Sequence, residues 1–144
     1  MTEKGTNPEL TVYLRASTPL PARDRQREVI ARAEQLADQG RVERVRVRRW
    51  EDRIVVGNGT DEPVEMFETF RSRAAEIGHS LEPFFQEHKR AGTREIVFPI
   101  ICIAVHVDQD LKRVFPCRDD NTAYSVWDCL TALETDGKIA DLAD

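Results

Sequence analysis

Glu95-Ile-Val-Phe-Pro-Ile-Ile-Cys-Ile-Ala-Val-His-Val107 is the stretch on which the fold turns. Ile96, Phe98, Ile100, Cys102, Ala104 and His106 alternate with Val97, Pro99, Ile101, Ile103, Val105 and Val107. Side chains of an extended chain alternate sides, so this strand is apolar on both faces for most of its length and needs a cover on each. Downstream, Asp108-Gln-Asp110 is a turn into a partner strand from Leu111 to Pro116, which makes a hairpin. Ser125-Val-Trp-Asp128 is then a capping box, with a serine and an acidic residue three positions later satisfying each other's backbone amides. It opens a last helix carrying Val126, Leu130 and Leu133.

Upstream, Leu10, Val12, Leu14 and Ala16 share one face of a first strand, and Thr11, Tyr13 and Arg15 the other. Pro19-Leu-Pro21 leads into a helix from about Ala22 to Gln39, with Val29, Ile30, Ala33, Leu36 and Ala37 as its stripe and Gly40 as its stop. Val42 to Trp50 alternates again, and Glu51-Asp52 turns it into a short strand, Arg53 to Val56. Gly57-Asn-Gly59 breaks the pattern. Pro63 opens a second helix with Val64, Phe67, Phe70, Ala74 and Ile77 on one side, and Gly78 ends it. Ser80 is placed to cap a shorter helix from about Leu81 to His88.

The order strand, helix, two-stranded hairpin, helix pair, two-stranded hairpin, helix predicts an α+β domain of the ferredoxin-like, split βαβ kind. The expected sheet has five mostly antiparallel strands in the order 2-3-1-4-5. The helices are expected on one face only, with an extra C-terminal helix. At 144 residues the chain suits one domain, read as residues 10–136 between flexible ends at 1–9 and 137–144.

Composition excludes several classes. No apolar run approaches the ~18 residues of a membrane span, and Met1-Thr-Glu-Lys-Gly5 lacks a signal peptide's apolar stretch, so a cytoplasmic, non-membrane protein is expected. Three cysteines, an odd number without a CxxC, do not make a disulfide framework. The net charge of −5 is unevenly spread. Residues 1–60 hold 12 basic and 9 acidic side chains (+3), and residues 61–144 hold 9 and 17 (−8). Basic residues are nearly all arginine, with lysine only at Lys4, Lys89, Lys112 and Lys138, a bias that suits a GC-rich or salt-loving source.

The run Phe70-Arg-Ser-Arg-Ala-Ala-Glu-Ile-Gly-His-Ser-Leu-Glu-Pro-Phe-Phe85 and the segment from Pro99 to Glu134 resemble a family of small haloarchaeal proteins that carry a helix-turn-helix label. The likeness spans roughly residues 10–134. It implies a regulatory role and no particular site. Within it, Ala74-x-x-x-Gly78-x-Ser80 has the spacing of a helix-turn-helix turn. A recognition helix offers polar or basic groups to bases and phosphates. Leu81, Glu82, Pro83, Phe84 and Phe85 in that position instead suit a packed corner.

Arg44, Arg46 and Arg48 form the most suggestive pattern. Period two puts them on one face about 6.6–7 Å apart, close to the spacing of successive phosphates in a nucleic-acid strand. Tyr13, Arg15 and Trp50 are expected beside them on an open sheet face, the arrangement with which RNA-recognition domains hold and stack bases. A solvated face and an oligomer interface are the other readings. Phe98, Ile100, Cys102 and His106 mark the second candidate, a homodimer interface or a ligand site within it.

Cofactor and metal chemistry finds no support in the pattern. Cys102 and His106 are four strand residues, ~13 Å, apart, too far to share one zinc. Asp108, Asp110, Asp119, Asp120 and Asp128 lack the glycine and glutamate of a calcium loop. There is no GxGxxG, GxxxxGK[ST] or GxSxG. The expectation is a regulatory or interaction protein without an enzyme's apparatus. It acts as a homodimer, with nucleic acid or a protein as partner; a small-molecule sensor is the alternative.

Overall fold

The computed structural model describes residues 7–57 and 59–135. Of the flexible ends expected at 1–9 and 137–144, residues 1–6 and 137–144 lie outside the described residues, as does Asn58 in the break, while Glu9 already belongs to a strand. The chain runs β1 (Glu9–Arg15), α1 (Leu20–Asp38), β2 (Arg44–Trp50), β3 (Arg53–Val55), α2 (Asp61–Glu76), β4 (Gln86–Arg90) and β5 (Thr93–Val97). It continues β6 (Ile101–Val107), β7 (Asp110–Phe115), β8 (Cys117–Arg118), β9 (Ala123–Tyr124) and α3 (Val126–Thr135).

The fold is α+β, but among the described residues the single five-stranded ferredoxin-like sheet is not present. Three sheets are: a four-stranded one in the order β2-β1-β6-β7, a three-stranded one in the order β3-β5-β4, and the short pair β8-β9. Two local causes account for the difference. The stretch 95–107 is two strands, because Pro99 has no amide to give to a ladder and a chain so apolar on both sides can serve two sheets. β5 pairs with β3 and β4, while β6 pairs with β1 and β7. The carbonyls freed at the crossing are taken up from elsewhere in the fold. An Arg15 guanidinium nitrogen donates to Phe98 O. Trp50 Nε1 donates to Pro99 O at 3.2 Å, and Gln26 Nε2 to Ile100 O at 3.0 Å. Buried backbone acceptors need such partners, so the kink is built in from α1, β1 and β2.

The second cause is β4. Leu81 to His88 is not a helix: Phe85 N closes one turn on Leu81 O at 2.9 Å, and the chain then extends. Gln86–Arg90 pairs antiparallel with Thr93–Val97 across Ala91 and Gly92, whose φ angles of 50° and 81° are those of a two-residue hairpin turn. β2 consequently lies parallel to β1, joined by the α1 crossover, and β3 is not inserted between them.

The helices occupy both faces, which corrects the one-sided cover. Leu10, Val12 and Leu14 point toward α1, and α3 lies in the same layer, tied to α1 by Arg32 and Glu134 at 2.7 Å. On the opposite face, Tyr13 meets Phe70 of α2 edge-on at 5.7 Å. Trp50 there is stacked between Tyr13 at 4.9 Å and Phe98 at 4.5 Å, with Phe85 against its edge. The capping box at Ser125 is present: Ser125 N donates to Asp128 Oδ2 at 2.7 Å and Asp128 N to Ser125 Oγ at 3.2 Å.

Candidate functional site

β2 is an edge strand, paired on one side only. The register sets Arg44 opposite Glu9, Arg46 opposite Thr11 and Arg48 opposite Tyr13. The next strand continues these rows with His106, Ala104 and Cys102. All three arginines are exposed. Arg44 lies 3.8 Å from Glu9, and Arg48 3.6 Å from Glu62 at the start of α2. Their side chains remain 51% and 58% exposed, so these pairs are loose and screened. Arg46 has no ion pair among the described residues. His106 is half-buried behind it; burial lowers its pKa, Arg46 lowers it further, and Glu9 opposes both.

The expected companions divide. Tyr13 and Trp50 are buried in the aromatic cluster, so the face is not open at that end. Arg15 is half-buried and spends its guanidinium on Phe98 O. Trp50 and Arg48 meet only at a cleft of about 340 Å³, walled also by Tyr13, Glu62, Met66 and Phe98. Burial pushes the Tyr13 hydroxyl's pKa up, Cys102 adds to this, and Arg48 pulls it down. Of the second candidate set, Phe98 and Cys102 are wholly buried, and Ile100 and His106 half-buried. They form core and kink rather than one open patch.

A basic surface on the second sheet escaped the sequence reading. Val55, Glu95 and His88 stand in one row of its outer face, and Arg90 with Thr93 in the next. With Arg53 they border a depression of about 540 Å³. Lys89 and Arg90 sit at the exposed hairpin tip. The signal was Arg90-Ala-Gly-Thr93, a two-residue turn flanked by polar alternation.

Other arginines are engaged in the structure. Arg94 of β5 is held by Glu68 and Glu87, and Arg71 reaches Glu87 at 2.9 Å and also Glu68. Burial pushes the Glu87 carboxyl up, but hydrogen bonds from Arg94 and Arg71 outweigh it and hold it below the usual range. The Arg94 hydrogen bond does the same for Glu68.

At the corner after α2, Gly78 has φ 77° and His79 N donates to Ala74 O at 2.8 Å. The next element is a bridge from Ser80 to Arg118, not a second helix. Leu81 and Phe85, in the recognition position, are core. Among the described residues no three His, Cys, Asp or Glu side chains gather as metal ligands, and no helix is long and apolar enough to cross a membrane.

An α+β domain with an arginine-bearing sheet edge and a closed aromatic core is the class that these features define. A family model described as a helix-turn-helix domain matches residues 2–138, and the chain belongs to that family. No curated protein and no solved structure matches it.

Proposed function

We propose that the protein is a non-enzymatic regulatory protein that contacts nucleic acid through the arginine face of β2. One observation carries the reading: Arg44, Arg46 and Arg48 stand exposed on an edge strand, with two loose ion pairs among the described residues. Strand edges and ribbons enter grooves and follow backbones, and guanidinium groups ~6.6–7 Å apart match a row of phosphates. Family membership supports a regulatory role. The contact does not run through a second helix, because the position after Gly78 holds a buried corner.

A homodimer fits this edge. Antiparallel pairing of two β2 strands sets the arginines of both copies on one face. Their repulsion across the ladder weakens the pair when free, and a polyanion relieves it. The acidic, lysine-poor remainder suits a salt-rich setting.

The test is fluorescence anisotropy with duplex DNA and with single-stranded RNA over a salt series. The wild type is expected to bind with a salt-dependent affinity. The double variant Arg44→Ala with Arg46→Ala weakens binding and flattens the log–log slope by about one for each guanidinium withdrawn from a phosphate. Unchanged affinity and slope, or no binding to either probe, overturns the proposal. The 340 Å³ cleft favours a second reading, a small-molecule sensor. In that case Arg48→Ala, not the Arg44/Arg46 pair, is the change that removes the response.

A further inference from the structure

Arg113 of β7 is 3% exposed, and none of its three guanidinium nitrogens has a hydrogen-bond partner. It is held between rings instead, 4.8 Å from the Phe115 centroid and 5.9 Å from that of Tyr124. A desolvated cation with no anion is unfavourable, so a buried guanidinium in this state marks a place where negative charge is to be received. The same cation argues against a metal ion there.

Cys117 lies beside it. The thiol is 1% exposed, and its Sγ is 3.7 Å from Nδ1 of His79. His79 is half-buried, tilted over Tyr124, and also borders a surface cleft of about 660 Å³ with Ser80, Arg118 and Asp119. The imidazole thus touches the thiol while its residue borders solvent. The Ser80–Arg118 bridge, the two-residue strands β8 and β9 and the Asp119 turn, which accepts from Tyr124 Oη at 3.1 Å, close this corner, and such short pairings open more readily than a core strand.

The geometry points to Cys117 as a peroxide-reactive thiol, with His79 accepting its proton and Arg113 holding the anion that forms. In the reaction with hydrogen peroxide, the thiol proton passes to His79. The sulfur attacks one peroxide oxygen, forming an S–O bond as the O–O bond breaks. Hydroxide leaves with the bonding pair and takes the proton from His79, giving water. Sulfur is oxidised to sulfenic acid and peroxide is reduced. Burial lowers the pKa of His79 and Arg113 lowers it further, against Asp119, so the imidazole rests neutral but as a weak base, and it is the contact of Nδ1 with the thiol that places it to take the proton. Burial raises the Cys117 thiol while Arg113 pulls it back, whereas Cys129 is pushed far higher by burial. Cys102 and Cys129 are wholly buried and lack the imidazole contact, so the three thiols are not equivalent.

The folded full chain, treated with hydrogen peroxide and a sulfenic-acid-trapping dione, is mapped by peptide mass. The adduct is expected at Cys117 ahead of Cys102 and Cys129, and is absent at that position in Cys117→Ser. Arg113→Met slows labelling at Cys117 by about tenfold or more, and Arg113→Lys restores part of the rate. Should Arg113→Met fail to fold, the order of labelling in the wild type decides alone. Equal labelling of the three cysteines overturns the proposal. So does labelling of Cys117 that appears only in step with global unfolding by urea.

Discussion

Trp50 and the arginines before it belong to one strand and, by period, to one face, yet they meet opposite surroundings. Trp50 is closed in by Tyr13, Phe85 and Phe98, whereas Arg44, Arg46 and Arg48 stand in solvent. The cover over this face ends between positions 48 and 50. α2 and the second sheet cover the tryptophan, and beyond it α2 meets the edge through the loose Arg48–Glu62 pair. A period-two pattern says which residues share a face, but how far a cover extends is decided by elements remote in sequence. The tryptophan end is where β2 is anchored, and the arginine end is what the anchored strand presents.

The largest expected effect breaks the anchored end. Trp50→Ala removes a ring stacked on two others and frees the Pro99 carbonyl from its donor. Large aromatic truncations in cores cost about 3–5 kcal/mol, and an acceptor left unpaired at the kink adds to that. Urea unfolding followed by far-UV circular dichroism checks it. A loss below about 1 kcal/mol would mean that the cover does not depend on this residue.

A smaller effect separates engaged arginines from exposed ones through pH. Glu87 and Glu68 have folded-state pKa values below the ordinary range, set by Arg94 and Arg71. A depressed carboxyl stabilises the fold above its unfolded pKa and loses that contribution as pH falls toward the folded value. The window therefore lies below about pH 4.3. Arg94→Met is expected to lower the urea midpoint near neutrality and to reduce its further fall between about pH 5 and about pH 3. A fall as steep as that of the wild type would show that other carboxylates govern acid sensitivity. The pairs of Arg44 and Arg48 are longer than those of Arg94 and Arg71, and the two arginines more exposed.

Much of the local structure was legible. The capping box at Ser125, the helix stops at Gly40 and Gly78, and the strand faces of β1 and β2 follow from short-range chemistry that the sequence states directly. The sheet arrangement was not. The alternation from Ile96 to Val107 runs unbroken through Pro99 by hydropathy, so only the missing amide showed that two sheets share the run. Gln86–Arg90 is polar throughout and follows Leu81 and Phe85, whose spacing imitates a helical stripe. Tyr13 and Trp50 looked like an aromatic surface because nothing local reveals that α2 and β5 fold over them. Arg113 also gave no signal, since a basic residue in a hairpin strand is ordinarily exposed and its burial comes from the β8–β9 corner and α3.

The smallest effect expected on stability tests the exposed end. Arg46 is solvent-exposed, has no ion pair among the described residues, and stands opposite Thr11 on an edge strand whose other side is unpaired. Truncating it removes no buried contact and leaves no partner unsatisfied. Arg46→Ala should therefore change unfolding free energy by no more than about 0.5 kcal/mol. Its one internal consequence is on His106, whose depressed pKa owes part of its shift to this guanidinium; the variant's His106 is expected to titrate at higher pH, measured by NMR of the ring protons. A destabilisation of several kcal/mol would place Arg46 among the structural arginines with Arg94 and remove the reason for regarding β2 as a presented surface. A neutral result with the His106 shift leaves the strand divided, anchored at Trp50 and free at Arg46.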